Sequence, residues 1–336
     1  MTSIPYLFLF FSSLILGSVM SLSANHWLYV WMGLELNLLS FIPLITMSKI
    51  NQETESAVKY FLAQAMGSGI LILGAISFSF STQTLLPPNL LSLFIILGLL
   101  IKLGMPPCHF WFPLVMSGLS WPMCLILTTW QKLIPMLILF FSISSPLSLL
   151  FFLIIISGSL IGGLGGLNQT RLRPLLAYSS IGHMTWMFAA SLISSSISLI
   201  YLLSYIIITF SLMLMIWWAS FYSQSSLNNI QFLAPVFSMS MALLLLSLGG
   251  IPPFFGFLPK WLILESFSQI NFLIPLFLIL GSVLNLFYYL NILFISSIKS
   301  SKMTLISPPS LTLNPTIPIL LATMTLGLAP ISIFFS

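Results

Sequence analysis

Four ionisable side chains lie deep inside long apolar runs: Glu35, Lys102, Lys132 and Lys260. Placing a charge at mid-bilayer depth costs at least about 2.5–3.5 kcal/mol, so such residues persist where they do chemistry or find a partner. One carboxylate and three lysines suit a proton relay. Burial weakens a lysine's hold on its proton and a nearby carboxylate strengthens it, so moving the carboxylate loads or unloads the amine. Two plainer readings stand beside the relay. Each lysine can snorkel along its stem to the interface, which suits Lys260 better than Lys102 or Lys132, and Glu35 can form a static pair with a lysine. His109 and His183 titrate near neutrality and are candidates to extend a proton path, or are hydrogen-bonded core histidines. His26, beside Trp27 and Tyr29, is expected to anchor at the interface.

The elements that must position these groups are membrane spans. Of the 336 residues, 59% are hydrophobic and only 4% charged, where a soluble domain carries about 25%. Soluble enzymes and nucleic-acid modules are excluded, and the mean hydropathy of +1.14 indicates a polytopic membrane protein. Eleven spans are expected, at 3–22, 26–47, 57–80, 90–118, 123–141, 147–167, 173–194, 197–221, 235–264, 270–296 and 316–335. Glu35 then lies about 13–14 Å into the second span and Lys102 about 18 Å into the fourth, at 1.5 Å per residue. The first charge of the chain is Glu35, so the amino end is read as a first membrane span and not as a cleavable signal.

The fourth and ninth spans are too long for one straight helix and share an interruption. The fourth contains Gly104, Pro106, Pro107 and Pro113, and the ninth Gly250, Pro252, Pro253 and Pro259, so a shift of 146 residues superposes all four. Proline removes an amide donor and clashes with the preceding turn, which predicts two half-helices in each. Five crossings separate the breaks, so the expected fold is all-α, one membrane domain over 1–336 built of two inverted five-helix repeats. These cover 1–145 and 146–298, with a loop and an eleventh helix over 299–336. Paired broken helices of this kind mark secondary transporters and ion-translocating cores. The basic loops carrying Lys49 and Lys59, Arg171 and Arg173, and Lys299 and Lys302 all follow an even number of crossings, which puts them and the amino end inside.

Other features point away from bound cofactors. Cys108 and Cys124 are too few for an iron–sulfur cluster, which needs four thiolates, and a disulfide framework is not expected. Gly158, Gly162 and Gly166 recur every four residues as a helix-packing face. With Gly163 and Gly165 they do not complete a dinucleotide fingerprint. No metal site and no nucleic-acid partner are expected. Glu53 and Glu55 with Lys59 are expected to be solvated at the start of the third span, unless that acidic loop meets a partner.

Several stretches together resemble the mitochondrial NADH dehydrogenase subunit 2 family. They are Trp31-Met32-Gly33-Leu34-Glu35-Leu36-Asn37, Glu53-Thr54-Glu55 to Lys59-Tyr60-Phe61, Lys102-Leu103-Gly104, His109-Phe110-Trp111 and Gln131-Lys132-Leu133-Ile134-Pro135. Tyr178-Ser179-Ser180-Ile181-Gly182-His183 and Gly249-Gly250-Ile251-Pro252-Pro253 to Pro259-Lys260-Trp261 complete the set. The match runs from about residue 25 to 265. Leu114 stands where relatives commonly have an acidic residue, and Pro106 and Cys108 also depart from the usual pattern.

The resemblance implies a short animal form of an antiporter-like core subunit of respiratory complex I in the mitochondrial inner membrane. It implies an amino end and even loops toward the matrix, a carboxyl end toward the intermembrane space, and no redox centre in the chain. NADH, FMN, iron–sulfur clusters and ubiquinone would belong to the whole complex. Expected partners are antiporter-like subunit 4, the small subunit 4L, accessory subunits and lipids. It also implies that Glu35 pairs with Lys102, that Lys132 is the central relay lysine, and that Lys260 serves the second broken helix. A stand-alone cation/proton antiporter and a purely structural scaffold remain the alternatives.

Overall fold

The computed structural model describes residues 4–47, 50–79, 88–142, 149–222, 235–268 and 272–303. Among these the regular structure is α-helix joined by short turns and breaks, with no strand. Seven helical spans are long and apolar enough to cross a bilayer, and two shorter apolar helices lie at Ser92–Leu103 and Met239–Gly249. The chain is a polytopic α-helical membrane protein. The eleventh span expected at 316–335 lies outside the described residues.

The chain divides after Ser148 into two compact units. In the first, α1 (Ile4–Ser23), α2 (Trp27–Thr46) and α3 (Asn51–Ser79) pack in order, and α3 also receives α4 (Pro88–Leu103) and α5 (Trp111–Gly118). Two helices follow, α6 (Trp121–Thr128) and α7 (Trp130–Ser142), and α7 lies against α4 and α1. Small residues set these approaches. A Cβ on Gly17 would stand 2.9 Å from the Gly33 carbonyl oxygen, and one on Gly98 2.9 Å from the Leu71 amide nitrogen, so α1 meets α2 and α4 meets α3 backbone to backbone.

In the second unit, α8 (Leu149–Leu167) packs on α9 (Leu172–Ser191) and on α13 (Leu273–Met303). Gly162 abuts Gly182 of α9 and Gly166 abuts the Tyr288 ring of α13, so the glycine face read from the sequence serves two neighbours. The remaining helices are α10 (Ser195–Tyr222), α11 (Pro235–Gly249) and α12 (Phe257–Ser268), with α10 beside α9, α11 and α12. Helix α9 does not reach the apolarity of the other spans, yet almost every residue from Pro174 to Ser191 is buried. Protein encloses it where lipid would not tolerate it. Helix α13 runs to Met303, so Lys299 and Lys302, expected in a loop, stand on helical backbone.

Both expected breaks are present, and each ends its first half-helix on a glycine with positive φ, 71° at Gly104 and 74° at Gly250. Only glycine enters that left-handed region without steric cost. At the first break the Gly104 amide donates to Ile101 O and the Met105 amide to Leu100 O, both at 3.0 Å, which is the Schellman closure of a helix end. Side chains bond carbonyls there as well: Gln64 Nε2 donates to Lys102 O at 2.9 Å, and Trp111 Nε1 joins the Gly104 amide on Ile101 O at 3.1 Å. The carbonyl freed by Pro106, Lys102 O, is thus paired inside protein, as the membrane interior requires.

The span expected at 123–141 carries an interruption that the sequence reading did not include. Thr129, at φ −107° and ψ −71°, separates α6 from α7. Its hydroxyl bonds back to Leu125 O at 2.7 Å, and that of Thr128 to Cys124 O at 2.9 Å. Such back-bonding bends helices, and Pro135 adds to it by removing the amide that would bond Gln131 O.

Packing at the second break is unforgiving. A Cβ on Gly256 would collide with the Ser247 carbonyl oxygen, whereas a Cβ on Gly69 meets nothing within 4 Å. Gly256→Ala should therefore cost about 1–3 kcal/mol through overpacking, and Gly69→Ala should be neutral or gain up to about 1 kcal/mol of helix propensity. Heat-induced loss of folded protein from native membranes measures both.

Candidate functional site

The three lysines singled out above are all buried, at 6% exposure for Lys102 and Lys132 and 7% for Lys260. None reaches the surface, so the snorkelling reading fails for each. Their surroundings differ because the backbone delivers them differently.

Lys102 sits in the last turn of α4, where the negative end of the helix dipole favours a cation. Glu35, half-buried on α2, acts electrostatically on both Lys102 and Tyr60. The two ions are coupled without touching. Among the described residues the ion pair in contact is Lys59 with Glu55, at 2.6 Å on the exposed start of α3. A static Glu35–lysine bridge is therefore not what the fold builds. Lys132, in the first turn of α7, holds its Nζ 4.1 Å from the centroid of the Phe112 ring on α5.

Lys102 and Lys132 face the same cavity, of about 20 Å³, whose other polar walls are Asn37, Tyr60, Gln64 and Gln131. Gln131 Nε2 donates to Asn37 Oδ1 at 2.8 Å, and the Tyr60 hydroxyl stands 3.4 Å from Gln131 Oε1. These four polar residues were not singled out from the sequence as site residues. The one available signal was their polarity within membrane spans, which is weaker than a charge.

In the second unit Lys260, in the first turn of α12, reaches back across the break and donates to Gly249 O at 2.7 Å. The ammonium thus closes the end of α11. Gly250 must be small here as well as left-handed, because a Cβ would lie 2.8 Å from Lys260 Nζ. The same amine lies 5.9 Å from the Trp186 ring centroid. His183 precedes Trp186 by one turn on α9 and so shares its face. Its Nδ1 is 2.9 Å from the Tyr201 hydroxyl and its ring packs beside Tyr205.

His109 is buried, with Nδ1 3.3 Å from Pro107 O, and it does not line the Lys102–Lys132 cavity. Its contact is thus local to the break. Gly104, Pro106, Pro107, Gly250, Pro252 and Pro253 all lie at the two breaks, as expected. Glu53, expected to be solvated, is buried at 4% exposure in the first turn of α3, where the helix dipole favours an acidic side chain. Among the described residues no three His, Cys, Asp or Glu side chains gather as a metal site would need.

Comparison with known proteins agrees with this geometry. The family model described as NADH:quinone oxidoreductase/Mrp antiporter, TM matches residues 24–287. NADH-ubiquinone oxidoreductase chain 2 of Lumbricus terrestris is 38% identical over 97% of this chain and 97% of its own length. The chain of the same description from Osphranter robustus is 40% identical over 97% and 98%. A chain of respiratory complex I from Thermus thermophilus has the same fold, with a TM-score of 0.77 at 24% identity over 96% of this chain and 78% of that one.

Tyr201→Phe removes the hydroxyl held by His183. It should lower stability by about 1 kcal/mol, the net worth of one buried hydrogen bond, read as an earlier heat-induced loss of folded protein, while leaving the helical content intact.

Proposed function

The chain belongs to the NADH:quinone oxidoreductase/Mrp antiporter membrane family, among its NADH-ubiquinone oxidoreductase chain 2 members, and on that footing we propose that it works as an antiporter-like, proton-translocating membrane subunit of respiratory complex I. The observation that carries the mechanism is the pair of buried lysines, Lys102 and Lys132, facing one polar cavity with the Glu35 carboxylate acting on the first.

In this reading Glu35 sets whether Lys102 keeps its proton. When Lys102 releases it, the proton crosses the cavity to Lys132, which until then is the neutral amine. One N–H bond breaks as another forms, and the total charge of the pair is unchanged. Lys260 loads and unloads in its own unit, with His183 as its neighbour. Supporting the relay over a scaffold is the cost of burying three lysines, which a passive strut has no reason to bear.

The two units are read as inverted repeats, supported by the left-handed glycine at the same place in each broken span. The chain is read as non-redox, since its two cysteines fall short of the four thiolates of a cluster. NADH, FMN, iron–sulfur clusters and ubiquinone then work elsewhere in the complex. The animal relatives support a location in the mitochondrial inner membrane. The basic even-numbered loops favour the matrix for the amino end, leaving the carboxyl end toward the intermembrane space. Antiporter-like subunit 4, the small subunit 4L, accessory subunits and lipids are the partners this reading implies.

Two variants test the relay in vesicles containing the assembled complex. With Lys132→Met, NADH-driven, inhibitor-sensitive proton uptake per electron should collapse while assembly survives. With Glu35→Gln, coupled turnover should fall roughly tenfold. Wild-type proton yield in both would leave the chain a scaffold.

A further inference from the structure

The cavity between Lys102 and Lys132 is too small for a chain of solvent. A single water needs roughly 10–15 Å³ of such space, and about 20 Å³ is present. Its polar walls are not equivalent. Gln64 has committed its Nε2 to Lys102 O, which holds α3 against the end of α4. Gln131 has committed its Nε2 to Asn37 Oδ1 on α2, 94 residues away in sequence. That bond decides which way the amide of Gln131 is turned, and it leaves Oε1 as an acceptor toward Tyr60. The 3.4 Å separation there is long for an O–H···O bond. That long contact leaves Gln131 Oε1 with capacity to accept from a water in the cavity it lines.

Resting on the relay reading above, we infer that Gln131, locked by Asn37, is a positioning residue that seats one water molecule between Lys102 and Lys132. The transfer then has three participants. Lys102 as ammonium gives a proton to the water, and the water gives a different proton to the Lys132 amine. Lys102 ends neutral, Lys132 ends charged, and the water is unchanged. An amide suits this task because it orients the water without holding a proton at any ordinary pH. Lys132 follows Gln131 directly in α7, so the seat and the acceptor move as one piece. The titratable groups around the seat are Tyr60, Lys102 and Lys132 on its walls, with Glu35 acting on Tyr60 and Lys102.

The test uses the assembled complex in native membranes or vesicles, with proton uptake per NADH and the pH profile of coupled turnover as readouts. Gln131→Leu removes the seat, and Asn37→Ala unlocks it without touching Gln131. Each should lower coupled turnover roughly tenfold to a hundredfold, the scale expected when a reacting partner is misplaced. Gln131→Glu keeps the shape but puts a carboxylate between two lysines, where it pins the proton. That variant should be slow at neutral pH and recover toward wild type as the medium is acidified, because a protonated carboxyl again resembles the amide. Packing alone would not move the pH profile. An unshifted profile in Gln131→Glu, with Lys132→Met inactive, overturns the water seat and leaves the relay standing. Loss of no activity in Lys132→Met overturns the relay itself. If Gln131→Leu does not assemble, the isosteric Glu variant decides.

Discussion

A lysine ammonium inside a bilayer has no solvent to bind, so the protein must supply the dipoles that water would have given. Backbone carbonyls are the strongest neutral acceptors available, but in an intact helix they are already spent on amides four residues ahead. Breaking a helix releases them. At the second break Lys260 takes the Gly249 carbonyl directly. At the first, Lys102 sits on the last turn of α4 while Gln64 and Trp111 take neighbouring carbonyls. The prolines, the two left-handed glycines and the buried lysines are therefore one arrangement seen from three sides. Each is costly alone, and each is made tolerable by the others.

The same economy separates structural polar groups from working ones. Most serine and threonine hydroxyls here bond the carbonyl three or four residues back on their own helix, as with Ser21, Ser179 and Thr185. They are self-satisfied and ask nothing of the rest of the fold. The bonds that join distant parts of a unit are of another kind: Gln131 to Asn37, Tyr60 to Gln131, Gln64 to Lys102, and His183 to Tyr201. They cluster beside the buried lysines and His183. Polarity inside the membrane is thus of two kinds, one local to a helix and one that ties helices together.

The spans and both breaks were legible in the sequence because their signals are local. Apolar length, a Gly-x-Pro-Pro string and a lone lysine within an apolar run each announce themselves without knowledge of the partner. The interruption at Thr129 was not, since two threonines in a helix are ordinary until their hydroxyls turn back on Cys124 and Leu125. Asn37, Tyr60, Gln64 and Gln131 were missed for a related reason. A neutral amide has no charge to make its burial conspicuous, and what it does depends on a side chain many turns away. Glu53 was misread because its burial is decided by how α3 seats against its neighbours, which the six residues around it do not encode.

Much of the outer surface is apolar and unconstrained by shape. Phe8 and Phe272 are 77% exposed, and Leu149 is 74% exposed. At such positions one greasy residue serves as well as another, and the genetic code interconverts leucine, phenylalanine, isoleucine and methionine by single-base changes. The interior allows no comparable freedom, since Gly17, Gly33, Gly104 and Gly250 admit no side chain and the cavity walls admit few. Divergence in this chain is therefore channelled outward. Two descendants can differ across most of that exposed perimeter and keep the same buried side chains, so overall likeness measures the outer skin more than the cavity it encloses.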